Sequence, residues 1–286
     1  MMEINNKNRK TDEAWKRLYA RLEGEGLLNG EKEGRHVAKR PSRYLKWGIP
    51  AAALIAGIIF CMAWWGWPGG NEKALILLMT QENKEQATLV KTLEDGSIVY
   101  LAQESQLRYP KHFADDKRTV NLQGEAFFDV ARKPGKTFMI ETDKARVEVL
   151  GTAFDIRSNA TAPFSLSVQR GSVKVLLKEN GETALVRAGE TVTLQSDRLL
   201  LSETAHPNAF DRYVKNIRFK DECLEDVLRV INKTSSYWQI ETASPALGKK
   251  RLTVEFSNNS PEFVAELICL TFNLQCERKE NKLVLF

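Results

Sequence analysis

The sequence predicts a single-pass membrane protein with a short helical segment before the membrane and a larger, mostly β part after it. Three observations predict this organisation in the 286-residue chain. Residues 48–67 carry no charge, many short apolar alternations separated by glycine turns follow them, and a strand–helix–strand repeat ends the chain. The predicted fold class is therefore a cytoplasmic α-helix, one transmembrane helix, an all-β domain and a small α+β domain.

The transmembrane helix is predicted from the 20-residue stretch GIPAAALIAGIIFCMAWWGW at 48–67. A helix of that length spans roughly 30 Å, the hydrocarbon thickness of a bilayer. Tryptophans lie at both borders, and the basic residues cluster on the N-terminal side, which places the N-terminus in the cytoplasm. A buried core helix would leave these borders unexplained, and a cleaved signal peptide would not follow 47 residues of polar chain.

Residues 1–47 form the predicted cytoplasmic segment. It carries 12 basic and 7 acidic side chains, which accounts for the net charge of +5 of the whole chain. The basic isoelectric point therefore describes this flank and gives little reason to expect direct nucleic-acid binding. Thr11 can cap a helix, DEAWKRLYARLE, whose apolar side chains share one face: Trp15, Leu18, Tyr19 and Leu22. That face could lie on the membrane surface or dock into a groove of a cytoplasmic partner, and the pattern leaves both open.

Residues 81–205 are predicted to form an all-β domain. Short runs of alternating apolar residues are separated by turns that contain glycine, at near-regular spacing. Asp95-Gly96 predicts a two-residue β-hairpin turn. Further turns are predicted at Arg170-Gly171, Asn180-Gly181 and Ala188-Gly189. The pattern is typical of a sandwich, a barrel or a solenoid and does not choose among them.

Residues 208–286 are predicted to form a small two-layer α+β domain made of two βαβ repeats, with both helices on one sheet. Phe219 matches Phe256 and Thr234 matches Thr271, at a spacing of 37 residues. The first copy predicts a strand at 217–220, a helix at 224–233 and a strand at 237–241. The second predicts a strand at 252–256, a helix at 261–272, a strand at 274–277 and a final hairpin at 281–286. Pro261 suits the first turn of its helix after an Asn259 or Ser260 cap.

No pattern of residues predicts an enzyme. The three histidines are isolated, and no motif of a hydrolase, metalloprotease or nucleotide-binding enzyme occurs. The acid pairs at 115–116 and 221–222 are interpreted as solvated carboxylates near turns and caps. Neither a metal nor another cofactor is expected. Cys269 and Cys276 are interpreted as small buried hydrophobic residues, although one disulfide that includes Cys223 stays open.

Several blocks of the β region resemble one known family. The blocks LEDGSIVYLAQESQLRYP, VNLQGEAFFDVARKPGKTFMIET, VEVLGTAFDIRS, VQRGSVKV and RAGE closely resemble the periplasmic domain of FecR-like anti-sigma factors. The C-terminal repeat looks like the domain that follows in that family, which is akin to the secretin and TonB short N-terminal fold. The helix at 12–23 resembles the family's cytoplasmic segment, which is much longer in its best-studied branch.

The resemblance implies a signal relay across the inner membrane, with the N-terminus in the cytoplasm and the C-terminal bulk in the periplasm. An extracytoplasmic-function sigma factor would contact Trp15, Leu18, Tyr19 and Leu22. The N-terminal signalling domain of a ligand-loaded TonB-dependent outer-membrane transporter would contact the C-terminal domain, with Trp238 and Gln239 as candidates. An intramembrane protease would act near the span. The alternative is a membrane-anchored periplasmic module that binds glycan or peptidoglycan through its β domain.

Overall fold

The computed structural model describes residues 77–159, 162–205, 210–235 and 237–286, all within the compact unit Lys73–Phe286. The predicted cytoplasmic helix and the predicted transmembrane segment at 48–67 lie outside these residues. No helix in the described ranges has the length and apolar character needed to cross a bilayer. The secondary structure there is mostly β, as the sequence predicts.

The strands before residue 206 are β1 Leu78–Asn83, β2 Thr88–Thr92, β3 Ile98–Leu101, β4 Ser105–Pro110, β5 Lys117–Asp129, β6 Thr137–Glu141, β7 Ala145–Val149, β8 Ala153–Ser158, β9 Ser165–Arg170, β10 Ser172–Leu177, β11 Thr183–Arg187, β12 Glu190–Gln195 and β13 Arg198–Glu203. The elements that follow are α1 Asp211–Val214, β14 Asn216–Cys223, α2 Leu224–Thr234, β15 Gln239–Thr242, α3 Pro245–Gly248, β16 Arg251–Ser257, α4 Pro261–Phe272, β17 Cys276–Lys279 and β18 Lys282–Leu285.

The β domain is a sandwich of two sheets that share strand β5. The first sheet has the order β1-β4-β5-β6-β7-β10-β11, and the second has the order β13-β12-β9-β8-β5-β3-β2-β14-β16. Apolar side chains of both sheets meet in one core, for example Phe138 and Val175 from the first sheet with Phe128 and Phe154 from the second. The open choice among β architectures is thereby resolved in favour of the sandwich.

Strand β5 passes from one sheet to the other at Gly124. Gln123 is paired with Gln106 in the first sheet, whereas Gly124 is paired with Ser158 in the second. Gly124 has a φ of +97°, and a Cβ placed there would lie 2.8 Å from the Cα of Ser105. Only glycine fits both the left-handed conformation and this close approach of two backbones.

The predicted turns differ in what they connect. Strands β2 and β3 form a hairpin, as predicted. Its loop has three residues, because the N–H of Leu93 donates to the carbonyl of Ser97 at 2.8 Å and closes the hairpin there. Gly96 takes a positive φ at the end of the loop. The prediction of a two-residue turn at Asp95-Gly96 is therefore wrong about the length of the loop. Asn180-Gly181 lies in a hairpin between β10 and β11, whereas Gly171 lies where the chain leaves the second sheet for the first.

The second sheet is buried on both faces where it meets the C-terminal residues. Along β3, Val99 and Leu101 belong to the core of the sandwich, while Ile98 and Tyr100 belong to a second core. That second core also contains the buried side chains of both C-terminal helices, such as Val227. Strands buried on both faces have continuous apolar runs, which explains why the sequence IVYL shows no alternation.

The C-terminal elements follow the predicted repeat in order but not in sheet arrangement. Helix α4 has the predicted bounds, and Ser260 caps it by accepting a hydrogen bond from the N–H of Phe263 at 3.3 Å. The prediction of a single sheet covered by both helices is wrong. The first strands of the two copies, β14 and β16, extend the second sheet of the sandwich, whereas β15, β18 and β17 form a separate three-stranded sheet. The division into domains at 81–205 and 208–286 stays a prediction.

Candidate functional site

Trp238 and Gln239, the predicted contact residues for a transporter domain, lie at the start of β15. Trp238 is half-buried against the second core, with the Arg278 guanidinium 4.6 Å from the centre of its ring. The Tyr237 ring meets Trp238 edge-on at 5.1 Å and is 65% exposed. The amide of Gln239 donates to the carbonyl of Asn232 at 3.3 Å. Tyr237 thus offers more free aromatic surface than either predicted residue.

The free edge of β15 is closed by a side chain. The Asn232 amide donates to the carbonyl of Ile240 at 2.9 Å and accepts from the N–H of Ile240 at 2.8 Å. These two bonds occupy the backbone groups that an added strand would need at the middle of β15. Strand addition at this edge, beside Trp238 and Gln239, is therefore blocked.

Strand β16 presents the open edge of the large sheet. Among the described residues it pairs with β14 on one side, and its other side ends the sheet. Beside it lies a groove of 440 Å³ whose lining includes Tyr237, Trp238, Phe256, Pro261 and Val264. An open backbone edge next to a groove lined by aromatic, aliphatic and polar side chains is suited to an extended segment that adds a strand and inserts alternate side chains.

The joint between the sandwich and the C-terminal elements is formed by an apolar and a polar set of contacts. Strand β14 runs parallel to β2 and pairs with it from Ile217 to Phe219. Next to this pairing, the rings of Phe127 and Phe210 are 4.2 Å apart, and Tyr100 meets Phe210 edge-on at 5.3 Å. The sandwich and the C-terminal elements therefore share both a sheet and a core.

The polar set is centred on Tyr213, which is 2% exposed. The carboxylates of Glu125, at 2.9 Å, and of Asp155 share the single proton that its hydroxyl donates. Arg212 pairs with the same carboxylates, at 2.5 Å from Glu125 and 3.0 Å from Asp155. Burial raises the pKa of Asp155 despite these partners, and burial together with both negative charges raises the pKa of Tyr213. The tyrosine hydroxyl consequently stays protonated and serves as a donor.

The interpretation of the acid pair at 221–222 as solvated carboxylates is wrong for Glu222. Glu222 is 3% exposed, and its carboxylate lies 2.5 Å from the ammonium of Lys91 on β2. Burial raises the pKa of Glu222 although Lys91 opposes the shift. Asp221 does lie at the surface, in a two-point contact with Arg251 at 2.7 and 3.0 Å. The buried pair Lys91–Glu222 is a third contact across the joint.

Other predicted features fall outside the site. Trp15, Leu18, Tyr19 and Leu22 lie outside the described residues. Within the described ranges, no cluster of three or more His, Cys, Asp or Glu side chains could hold a metal ion. Cys269 is buried as predicted, whereas Cys276 is exposed, and the thiol of Cys223 donates to Asp226 at 2.6 Å.

The residues of the joint were missed by sequence reasoning. One signal could have found them: the run AFFDV at 126–130 has no polar alternation, which indicates a strand buried on both faces. Phe128 faces the core of the sandwich, and Phe127 faces the C-terminal elements. No comparable signal marks Arg212 and Tyr213, because a four-residue helix has too short a pattern to read.

Residues 79–174 match the family model described as FecR protein. Two crystal structures, each described as a "putative anti-sigma factor" from Parabacteroides distasonis ATCC 8503, are similar over 73% of this chain. One is 24% identical and matched over 98% of its own chain with a TM-score of 0.45. The other is 25% identical and matched over 99% with a TM-score of 0.46. No curated protein matches the chain.

Proposed function

From the match of residues 79–174 to the FecR family model, we propose that the chain is a FecR-like anti-sigma factor that relays a signal across the inner membrane. The match to the FecR family is the observation that carries the proposal. In this function, residues 1–47 bind an extracytoplasmic-function sigma factor, and residues 48–67 anchor the chain. The FecR domain and the C-terminal elements then lie in the periplasm, and an intramembrane protease acts near the span.

The cytoplasmic contact is proposed to lie on one helix face, Trp15, Leu18, Tyr19 and Leu22. Apolar and aromatic anchors carry much of the binding free energy in small interfaces. Because residues 1–47 are too few for an ordinary globular core, this face has no large surface within its own segment to pack against. A sigma factor would supply that surface.

Capture of sigma factors tests the cytoplasmic contact. With the full chain in detergent as bait, we expect a sigma factor to be retained, and Trp15→Ala to weaken its binding by about 2 kcal/mol, close to 30-fold. The double variant Trp15→Ala with Leu18→Ala should abolish capture. Arg17→Ala, on the opposite face, should leave the affinity within about twofold.

Retention that is equal for Trp15→Ala and Arg17→Ala would contradict the assignment of this face. No capture by any form, with normal helicity of residues 1–47, would instead favour the glycan-binding module on a membrane anchor. A glycan and peptidoglycan screen on the same chain would then decide whether that alternative holds.

The periplasmic input is proposed to arrive at the edge of β16. The signalling domain of a TonB-dependent transporter would add an extended strand there and insert side chains into the groove at Tyr237 and Trp238. The support is the open edge, the adjacent groove with its aromatic lining and the exposed Tyr237 ring. The blocked edge of β15 supports β16 as the acceptor and assigns Gln239 a structural hydrogen bond.

Hydrogen exchange tests this contact. On addition of the transporter's signalling domain, we expect the amides of β16 to exchange more slowly, because new backbone hydrogen bonds protect them. The amides of β13, the other edge of the same sheet, should be unchanged. Tyr237→Ala should weaken binding by roughly tenfold. Leu200→Ala, which removes an exposed apolar side chain of β13, should leave binding unchanged. Protection that appears on β13 instead would place the contact elsewhere.

A further inference from the structure

We propose that Cys269 and Cys276 are the two halves of a disulfide that ties the end of α4 to the first residue of β17. Both cysteines are reduced in the structure. The proposal assigns a covalent modification site to the C-terminal elements, separate from the groove beside β16. Three features of the structure support this pairing: two concern the backbone, and the third concerns the thiols themselves.

The first feature is the reversal of the chain after α4. Asn273 ends the helix in the left-handed conformation with a φ of 54°, and the N–H of Leu274 then donates to the carbonyl of Cys269 at 2.9 Å. This pattern folds the chain back over the last helical turn. Cys269 belongs to that turn and is 8% exposed.

The second feature is the register of β17. Gln275 and Phe286 exchange two backbone hydrogen bonds, at 2.9 and 3.0 Å, and Cys276 is directly opposite Leu285 on β18. Side chains of directly opposed residues in an antiparallel pair point to the same face of the sheet. Leu285 is fully buried in the core that also contains Cys269, so the side chain of Cys276 points toward the helix.

The third feature is the nearness of the two thiols. Each thiol influences the pKa of the other, so the two side chains are neighbours. A disulfide requires the two sulfur atoms to approach to about 2 Å. Cys276 begins an exposed edge strand, where a small shift of the backbone can bring its sulfur to that distance.

The reaction needs a thiol–disulfide oxidant. The thiolate of Cys276, the exposed partner, attacks the disulfide of the oxidant, and one oxidant thiolate leaves. Cys269 then attacks the mixed disulfide and releases the second oxidant thiolate. The two cysteines lose two protons and two electrons, and the oxidant disulfide gains both. In cells, such a bond persists in an oxidising compartment such as the periplasm, so its occurrence in cells rests on the proposed topology. The formation of the disulfide in the purified chain does not depend on that topology.

Cys223 is excluded from this pair by its own contacts. Its thiol donates to Asp226 at the start of α2. Cys223→Ser is therefore a control that should leave the disulfide intact.

Thiol mapping tests the proposal on the full chain, incubated with oxidised glutathione and digested without reductant. Residues 252–278 contain both cysteines and a single basic residue, at the C-terminal end, so trypsin should release them as one peptide. We expect this peptide to lose the mass of two hydrogens and to resist alkylation. A second cut after Phe272 should leave its two fragments joined until a reductant is added.

The matched variants make the result specific. Cys276→Ser, at the exposed position, should abolish the crosslink without disturbing the fold, and Cys223→Ser should retain it. The oxidised chain should melt at a temperature higher by up to about 5 °C, because the bond closes a short loop, and Cys276→Ser should lose that difference. Complete alkylation of both thiols after oxidation, or a crosslink that includes Cys223, would overturn the proposal.

Discussion

Replacing Phe127 by alanine is expected to lower the free energy of unfolding by about 4 kcal/mol. The Phe127 side chain is 2% exposed and packs against Phe210, Tyr213 and Tyr100 at the joint between the sandwich and the C-terminal elements. Alanine would leave a cavity there, and the contacts of all three rings would be weakened. Urea denaturation of the purified chain measures the loss.

Phe128→Ala is the matched comparison, because the two phenylalanines are adjacent on β5 and face opposite sides of the sheet. Phe128 is fully buried between the two sheets and stacks on Phe154 with ring centres 5.5 Å apart. The expected loss is also about 4 kcal/mol, since the side chain and its burial are alike. The difference should appear in the location of the loosened structure.

Hydrogen exchange separates the two cavities. Phe127→Ala should accelerate exchange first in α2 and β14, while Phe128→Ala should accelerate it first in the sandwich strands β6 and β8. If Phe127→Ala loosened the sandwich core and left the C-terminal elements protected, the assignment of its face would be wrong. If both variants loosened every element equally, the described chain would behave as one cooperative unit without a separable joint.

Lys91→Met is expected to cost about 3 kcal/mol at pH 8, because it leaves the carboxylate of Glu222 buried without a counter-charge. Only 16% of the Lys91 side chain and 4% of the Glu222 side chain are exposed, so water cannot replace the lost partner. Adding Glu222→Gln to Lys91→Met should recover part of the loss, since the neutral amide carries no unpaired charge.

The cost of Lys91→Met should fall as the pH is lowered. Burial already raises the pKa of Glu222 above its ordinary value of 4.5, and removal of Lys91 raises that pKa further. A carboxyl group with a raised pKa in the folded state binds its proton more tightly there than in the unfolded state. The resulting stabilisation is complete below the unfolded pKa and is lost as the pH rises through the folded pKa.

Denaturation of Lys91→Met and wild type between pH 4.5 and 8 measures this dependence, with the difference in stability expected to grow with pH. Lys174→Met is the control: its pair with Glu148 is long, at 3.4 Å, and half-exposed, so the change should stay within about 0.5 kcal/mol at every pH. A cost of Lys91→Met that is independent of pH would contradict a buried, unpaired Glu222.

The local elements were accessible to sequence reasoning because their causes lie within a few residues. Helix α4 begins at Pro261 after the Ser260 cap and ends at Phe272, as its periodicity predicts. The hairpin at Asp95-Gly96 was placed correctly, yet its loop length was not. Loop length depends on which backbone groups of the two strands meet, and the Leu93–Ser97 hydrogen bond is set by the pairing rather than by the turn residues.

By itself, the sequence determined the class of the described chain, its two long helices, several of its strands and the repeat at its C-terminal end, because these follow from periodicity and turn chemistry. Only the tertiary structure decided that the repeat is divided between two sheets, that β14 joins β2, and that Glu222 is buried. The sequence pattern of an apolar strand is the same whether its second face packs against a helix or against another domain. The local sequence around an acidic residue next to a helix is also the same whether its carboxylate contacts water or a lysine 131 positions earlier in the chain. Contacts between distant segments decide both, and no local pattern records them.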